Sequence, residues 1–197
     1  MLRGPSGPKM PFYGIERRAC ISHTAMPMIR LARPTDLPSL ADIERSAAQR
    51  FQGTLMAWAA GDDTVPPAEL AQAQAAGLLW VAEAGDGQPA GFALTRPMDG
   101  DLYLAEMAVA QRWQGRGQGR ALLLAVCAHA RDAGRYRSVV LTTDCELPWN
   151  KPFYQRQGFA EVPAAELTPG LRARLRLEEA AGFEPERRCA MAYPLAR

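Results

Sequence analysis

Lysine is almost missing from this chain. Of its 23 basic residues only Lys9 and Lys151 are lysines. The arginine and alanine excess reads as a GC-rich coding bias, which concerns the gene and not the function. Against 21 acidic residues the formal net charge is +2, too balanced to point to a nucleic-acid partner. Histidine is equally scarce, with His23 and His129 alone. The four cysteines, Cys20, Cys127, Cys145 and Cys189, form no CxxC pair and flank neither histidine at ligand spacing. That argues against a structural zinc site or a disulfide framework, and no metal is expected. No apolar run approaches the ~20 residues of a membrane span, so no membrane partner is expected. The start lacks the continuous apolar stretch of a signal peptide, so the expected compartment is the reducing cytoplasm.

What remains is ordinary globular material. Apolar residues make up 48% and charged residues 22% of 197 positions, enough for one domain that holds its own core. Residues 1–27 carry Gly4, Pro5, Gly7, Pro8, Pro11 and Gly14, which break regular elements. They read as a disordered leader, or as the product of a start codon misplaced ahead of Met26 or Met28. Residues 28–197 read as the folded domain.

The pattern there predicts a short strand at Ile29–Ala32, then a helix capped by Thr35-Asp36 with Leu37, Leu40, Ile43 and Ala47 at helical spacing. A second helix begins at Pro66-Pro67 and stops at Gly77. Three strands come next (78–84, 90–95 and 102–109), joined by turns at Gly85-Asp86-Gly87 and Asp99-Gly100-Asp101. Connections that short make them antiparallel. A glycine-rich loop leads into a helix over 118–131, apolar all round at 121–128 and ended by Gly134. The strand at 138–143, reached through this crossover, should run parallel to its partner. A short helix, a strand, a polar helix near 171–181 and a last strand near 189–193 complete the chain. The expected fold is α/β (α+β): a mixed, mostly antiparallel sheet of about seven strands with helices on its faces.

The informative segment is Gln114-Gly115-Arg116-Gly117-Gln118-Gly119-Arg120, between a strand and a buried helix. A helix start presents unpaired N–H groups and partial positive charge, and glycines let a bulky anion approach the backbone. By chemistry this is a pyrophosphate cradle. It lacks the Gly-Lys-Ser/Thr of a Walker loop. Its G-x-G-x-G spacing after an antiparallel meander does not suit a dinucleotide fingerprint.

Gln114-x-x-Gly117-x-Gly119 resembles the Q/R-x-x-G-x-G/A signature of the GNAT N-acetyltransferase superfamily. The resemblance extends to Leu104–Val109 as the family's fourth strand, and to Asn150 through Tyr154 to Gly158-Phe159 as its N-x-x-x-Y-x-x-x-G-F ending. It covers about residues 102–160, and the element order fits from Met28 on. It implies acetyl transfer from acetyl-coenzyme A to a primary amine by direct attack, with a splay between the fourth and fifth strands. The pantetheine arm would lie in that gap and pair with the backbone of Met107, Ala108 and Val109. The pyrophosphate would rest on Gln114, Gly115, Arg116, Gly117, Gln118, Gly119 and Arg120. A backbone N–H near Met107 would stabilise the thioester oxygen, and Asn150 would touch the coenzyme.

Tyr154 matches the family's general acid, since a phenol titrating near ~10 holds a proton to donate at neutral pH. Its plainer alternative is a packing tyrosine; that of Asn150 is a helix cap. Glu106, a carboxylate inside an apolar strand, is the candidate base, because burial raises its pKa toward the working range; the alternative is solvent exposure or an arginine partner. Glu44, Asp62 and Asp63 are carboxylates that could attract a cationic amine. Trp149 is expected to face the thioester end, Trp113 to anchor the cradle, Trp80 to sit in the core and Trp58 to cap a cleft or pack. His129 is expected to pack or to sit on the helix surface, and Cys145 to lie near the coenzyme thiol without acting as a nucleophile. The implied acceptor is a small-molecule amine. A protein N-terminal or lysine acetyltransferase and a noncatalytic acyl-coenzyme A sensor are the alternatives. An exposed edge at the last strand would invite a homodimer.

Overall fold

The computed structural model describes residues 27–61 and 63–196. Seven strands run in chain order as β1 (Met28–Leu31), β2 (Leu79–Glu83), β3 (Pro89–Met98), β4 (Asp101–Val109), β5 (Ser138–Asp144), β6 (Ala160–Glu161) and β7 (Arg188–Pro194). The helices are α1 (Leu37–Ala48), α2 (Pro67–Ala75), α3 (Gln118–Asp132), α4 (Lys151–Arg156) and α5 (Pro169–Ala180). The strands form one sheet in the order β1-β2-β3-β4-β5-β7-β6. Every pairing is antiparallel except β4 with β5. This is the element order read from the sequence, with the crossover helix α3 between the two parallel strands.

Alternation along the strands sorts the core onto two faces. Leu78, Trp80, Leu102, Leu104, Val139 and Leu141 pack under α3 with Leu122 and Val126. Leu79, Val81, Phe92 and Leu94 meet Leu40 and Ile43 of α1 and Leu70 of α2. Tyr103, Val140 and Ala190 meet Leu171 of α5 on that second face. Among the described residues no helix is long and apolar enough to cross a membrane.

Two features of this sheet shape the site. First, β4 and β5 pair only at Leu102↔Val139 and Tyr103↔Val140. Beyond them β4 runs on to Val109 and β5 to Asp144 without pairing, so the sheet opens between them. Second, the β3–β4 register shifts between Leu94 and Thr95: Leu94 faces Glu106 while Thr95 faces Leu104. Ala105 is therefore an extra residue, a β-bulge, and it reverses the in–out alternation over the rest of β4. Leu102 and Leu104 face α3, and beyond the bulge so do Met107 and Val109. Glu106 is thereby turned to the α1 face, opposite Leu94. An unbroken strand would have placed its carboxylate under α3.

Three expectations change, and one lies outside the described residues. The last strand is not an edge: β7 lies between β5 and β6, so strand exchange at that position loses its basis. Leu124 in α3 is 45% exposed, so the helix is not covered all round. Asp36 does not cap α1 with its side chain. It is buried and accepts from Arg33 N at 2.6 Å and from Arg30; the Arg30 guanidinium holds its carboxyl below the usual range. The leader, with Cys20 and His23, lies outside the described residues apart from Pro27, as does Asp62.

Candidate active site

A cleft of about 880 Å³ runs along the opening between β4 and β5. Its walls are β4 from Tyr103 to Val109, the loop and helix start from Gln114 to Arg120 without Arg116, Thr142 and Thr143 of β5, and Trp149, Asn150, Phe153 and Tyr154 before and within α4. Glu44 and Asp63 line it from the α1 side and Arg174, Glu178 and Arg188 from the α5 side. The sequence-predicted residues from three separate segments thus share one cavity.

The loop has the geometry expected of an anion cradle. Gly117 is the N-cap of α3 and has φ +89°, and Gly115 has φ +72°, a region where a side chain is strained. Within α3 the first bonded amide is that of Ala121, which donates to Gly117 O at 2.9 Å. The N–H groups of Gln118, Gly119 and Arg120 are left for an anion. Gly119 has no positive φ, and a Cβ there would lie 3.9 Å from Phe153 and Val109, an ordinary contact.

Several cradle side chains brace the loop itself. Gln114 Nε2 donates to Val109 O at 3.0 Å, tying the loop to the end of β4. The buried Gln118 amide, oriented to donate, reaches the Trp113 and Arg116 carbonyls at 3.2 and 3.1 Å. Arg116 stacks 4.9 Å from the Trp113 ring centre rather than lining the cleft. Arg120 Nε donates to Gln157 Oε1 at 3.1 Å.

The two candidate proton-transfer groups flank the opening. Glu106 is pushed up from 4.5 to about 7, chiefly by burial and then by the nearby Glu44. Its Oε1 accepts from Met107 N at 3.1 Å, and it has no ion-pair partner among the described residues. Glu44 is itself raised by burial while it accepts from Val65 N at 3.0 Å. Tyr154 packs edge-on against Phe153 and Phe159, with ring centres 5.1 and 5.8 Å away. Burial, and then the charge of Glu106, hold its hydroxyl well above the ordinary tyrosine range. Asn150 is the N-cap of α4, yet its side chain makes no capping bond and it lines the cleft.

The free backbone of β4, the open glycine loop and the unbonded amides fit a long phosphorylated thioester carrier. The Acetyltransferase (GNAT) family matches residues 39–159, more than half of the chain. The chain belongs to the GNAT acetyltransferase family. It is 36% identical over 117 residues to an aminoglycoside N(6′)-acetyltransferase type 1 from Stenotrophomonas maltophilia, covering 55% of this chain and 70% of that one. The fold is similar to that of N-acetylglutamate synthase from Neisseria gonorrhoeae, solved with coenzyme A and N-acetyl-glutamate (TM-score 0.65, 20% identity, 88% of this chain and 36% of that longer one). It is also similar to the ribosomal-protein-S18-alanine N-acetyltransferase from Escherichia coli (TM-score 0.60, 22% identity, 87% and 96% covered).

Within this GNAT domain the aromatic residues divide between cleft and core. Trp149 lines the cleft under the Arg50 guanidinium at 4.4 Å. Trp80 is buried against His129, with ring centres 5.0 Å apart. Trp58 is exposed, lines the cleft and meets Phe183 at 4.7 Å. Cys145 is not among the cleft-lining residues; its thiol lies close to that of Cys189. No group of three His, Cys, Asp or Glu among the described residues could hold a metal ion.

Sequence reasoning missed the α5 side. Glu178 is 3% exposed. Its Oε1 accepts from Thr142 Oγ1 at 2.6 Å and Arg174 Nε at 2.8 Å, and its Oε2 from Arg188 Nε at 2.9 Å. The Tyr103 hydroxyl meets Thr142 Oγ1 at 2.9 Å. The one sequence signal was Arg174 four residues before Glu178, indistinguishable there from a solvated helix pair.

Proposed function

We propose that this protein transfers the acetyl group of acetyl-coenzyme A to the primary amine of a small molecule by direct attack. The observation that carries the reading is a raised, unpaired carboxyl (Glu106) and a proton-bearing phenol (Tyr154) on one opening whose far end is an anion cradle. The 36% identical relative, named for small-molecule acetylation, supports the acceptor class.

Bound acetyl-coenzyme A supplies the acetyl group as a thioester. The amides of Gln118, Gly119 and Arg120 bind its diphosphate, with Gly117 shaping the approach. Exposed backbone of Met107, Ala108 and Val109 orients the pantetheine arm. Glu106, titrating at about 7, takes a proton from the incoming ammonium at its carboxylate so that the amine is neutral when it attacks. The Met107 N–H, which donates to Glu106 Oε1 in the free protein, turns from it to the developing oxyanion. Tyr154 Oη keeps its proton across the working pH range, releases it to the departing thiolate, and is reprotonated by the proton that the acylated nitrogen sheds. Asn150 offers an uncommitted amide to the carrier.

The test is thiol release from acetyl-coenzyme A with a panel of small amines and a matched panel of peptides bearing free N-termini or lysines. Turnover concentrated on small amines is expected. Dominance of peptide turnover would shift the acceptor class, and coenzyme binding without any turnover would defeat the enzymatic reading.

A further inference from the structure

The α5 wall of the cleft holds two guanidiniums against one carboxylate. Arg174 and Arg188 both donate to Glu178 through Nε, at 2.8 and 2.9 Å. The Arg188 side chain is only 10% exposed, that of Arg174 35%, and that of Glu178 3%. Glu178 brings one negative charge to two guanidiniums and also accepts from Thr142 at Oε1. Among the described residues neither arginine pairs with a second carboxylate, although Arg174 lies beside the Tyr103 hydroxyl. Arg188 is further fixed by stacking over Phe183 at 4.7 Å. Across the cleft Arg50 lies over Trp149 with no carboxylate partner among the described residues.

This is a rigid, undercompensated pair of forks. Burying a second guanidinium beside a single carboxylate is costly unless another anion completes it. The Nη edges, with Nε already committed, offer the planar, two-pronged geometry that suits a carboxylate. The fork is also near the reacting groups: the charge of Arg174 acts on Glu106, and that of Arg188 on Tyr154. The carboxylates of Glu44 and Glu106 stand on the α1 side of the same cavity. The cleft is therefore bipolar, with carboxyls where an amine must lose its proton and guanidiniums on the facing wall.

We propose that Arg174 and Arg188, oriented by Glu178, bind a carboxylate of the acceptor, so that the acceptor is an amino acid rather than a polycationic amine. The inference rests on the acetyl-transfer reading above and narrows it. Ammonium and carboxylate of one zwitterion match the two walls. A polycation such as an aminoglycoside brings ammonium groups to the arginines and no anion to offset them.

The experiment measures thiol release from acetyl-coenzyme A with the proteinogenic amino acids and short ω-amino acids. Each is paired with its carboxamide and its decarboxylated amine, and spermidine and kanamycin serve as polycations. The expected result is at least one amino acid whose kcat/KM exceeds that of its carboxamide by 100-fold or more. Arg188→Gln lowers that ratio at least tenfold, mainly through KM for the amino acid, and Arg188→Lys recovers only part of it. Arg174→Gln gives a second, more exposed position at which the same ratio falls. Thermal melting of each variant shows that the fold is kept. Calorimetry of the preferred amino acid with coenzyme A-loaded protein shows binding that Arg188→Gln weakens by the same factor. Equal or better turnover of carboxamides, decarboxylated amines or polycations overturns the carboxylate site and leaves acetyl transfer intact. No turnover of any amine overturns both.

Discussion

Replacing Glu106 with glutamine separates what the carboxylate does for chemistry from what it costs the fold. The substitution keeps an oxygen to accept the Met107 N–H and removes the charge. In the unfolded chain this carboxyl titrates near its ordinary 4.5, and in the fold at about 7. Below pH 4.5 both states are protonated and wild type and variant have similar stability. Between those values the unfolded chain ionises first, so wild-type stability falls as pH rises; above 7 the deficit is constant. At ~1.36 kcal/mol per pH unit the shift amounts to at most about 3 kcal/mol. For a domain of this size that is roughly 6–12 °C in Tm. Melting curves of the two proteins should therefore coincide near pH 4.5 and separate toward pH 8, with Glu106→Gln the more stable. In kinetics, wild-type kcat/KM should rise with pH and level off above about 7. The variant should lack that limb and lose ~10²–10⁴-fold in rate. Parallel melting curves, or a pH limb that survives in Glu106→Gln, would refute both the burial argument and the base assignment.

Other substitutions probe the remaining parts. Tyr154→Phe preserves the ring contacts with Phe153 and Phe159; steady-state kinetics should show a ~10²–10⁴-fold loss in kcat while coenzyme binding by calorimetry is unchanged. Gly117→Ala forces a side chain to φ +89° and should cost ~1 kcal/mol or more in denaturant unfolding and weaken coenzyme affinity at least tenfold. Gly119→Ala, with only ordinary contacts at 3.9 Å, should bind the coenzyme within a few-fold of wild type. Gly91→Ala would place a Cβ 2.7 Å from Ala108 O, prying β3 from β4, and should lower stability by ~1–3 kcal/mol in urea titration.

The segments that announced themselves in the sequence were those whose local chemistry is self-contained. Gly115 and Gly117 mark a turn that needs positive φ, and the apolar helix behind them reads as a crossover packed on the sheet, so the glycine turn and the parallel β4–β5 pair were both legible. Short Gly/Asp turns did the same for the meander. What was hidden depends on register and on distant partners. Nothing in Leu104-Ala105-Glu106 signals a bulge, because Ala105 suits any strand; only pairing against Leu94 and Thr95 shows which face Glu106 takes. The Arg174–Glu178–Arg188 cluster joins α5 to β7, with Thr142 supplied by β5. A polar helix read alone looks solvated. Placing β7 inside the sheet likewise required knowing that β6 adds beyond it, a two-residue pairing without its own sequence signature.

In the proposed mechanism, backbone amides at the start of α3 grip the diphosphate of an acyl carrier. Calorimetric titration of coenzyme A, beside pantetheine that lacks the diphosphate, tests it most directly. Micromolar binding of coenzyme A and at least a 100-fold loss with pantetheine are expected. No heat with coenzyme A, or pantetheine binding as tightly, would contradict it.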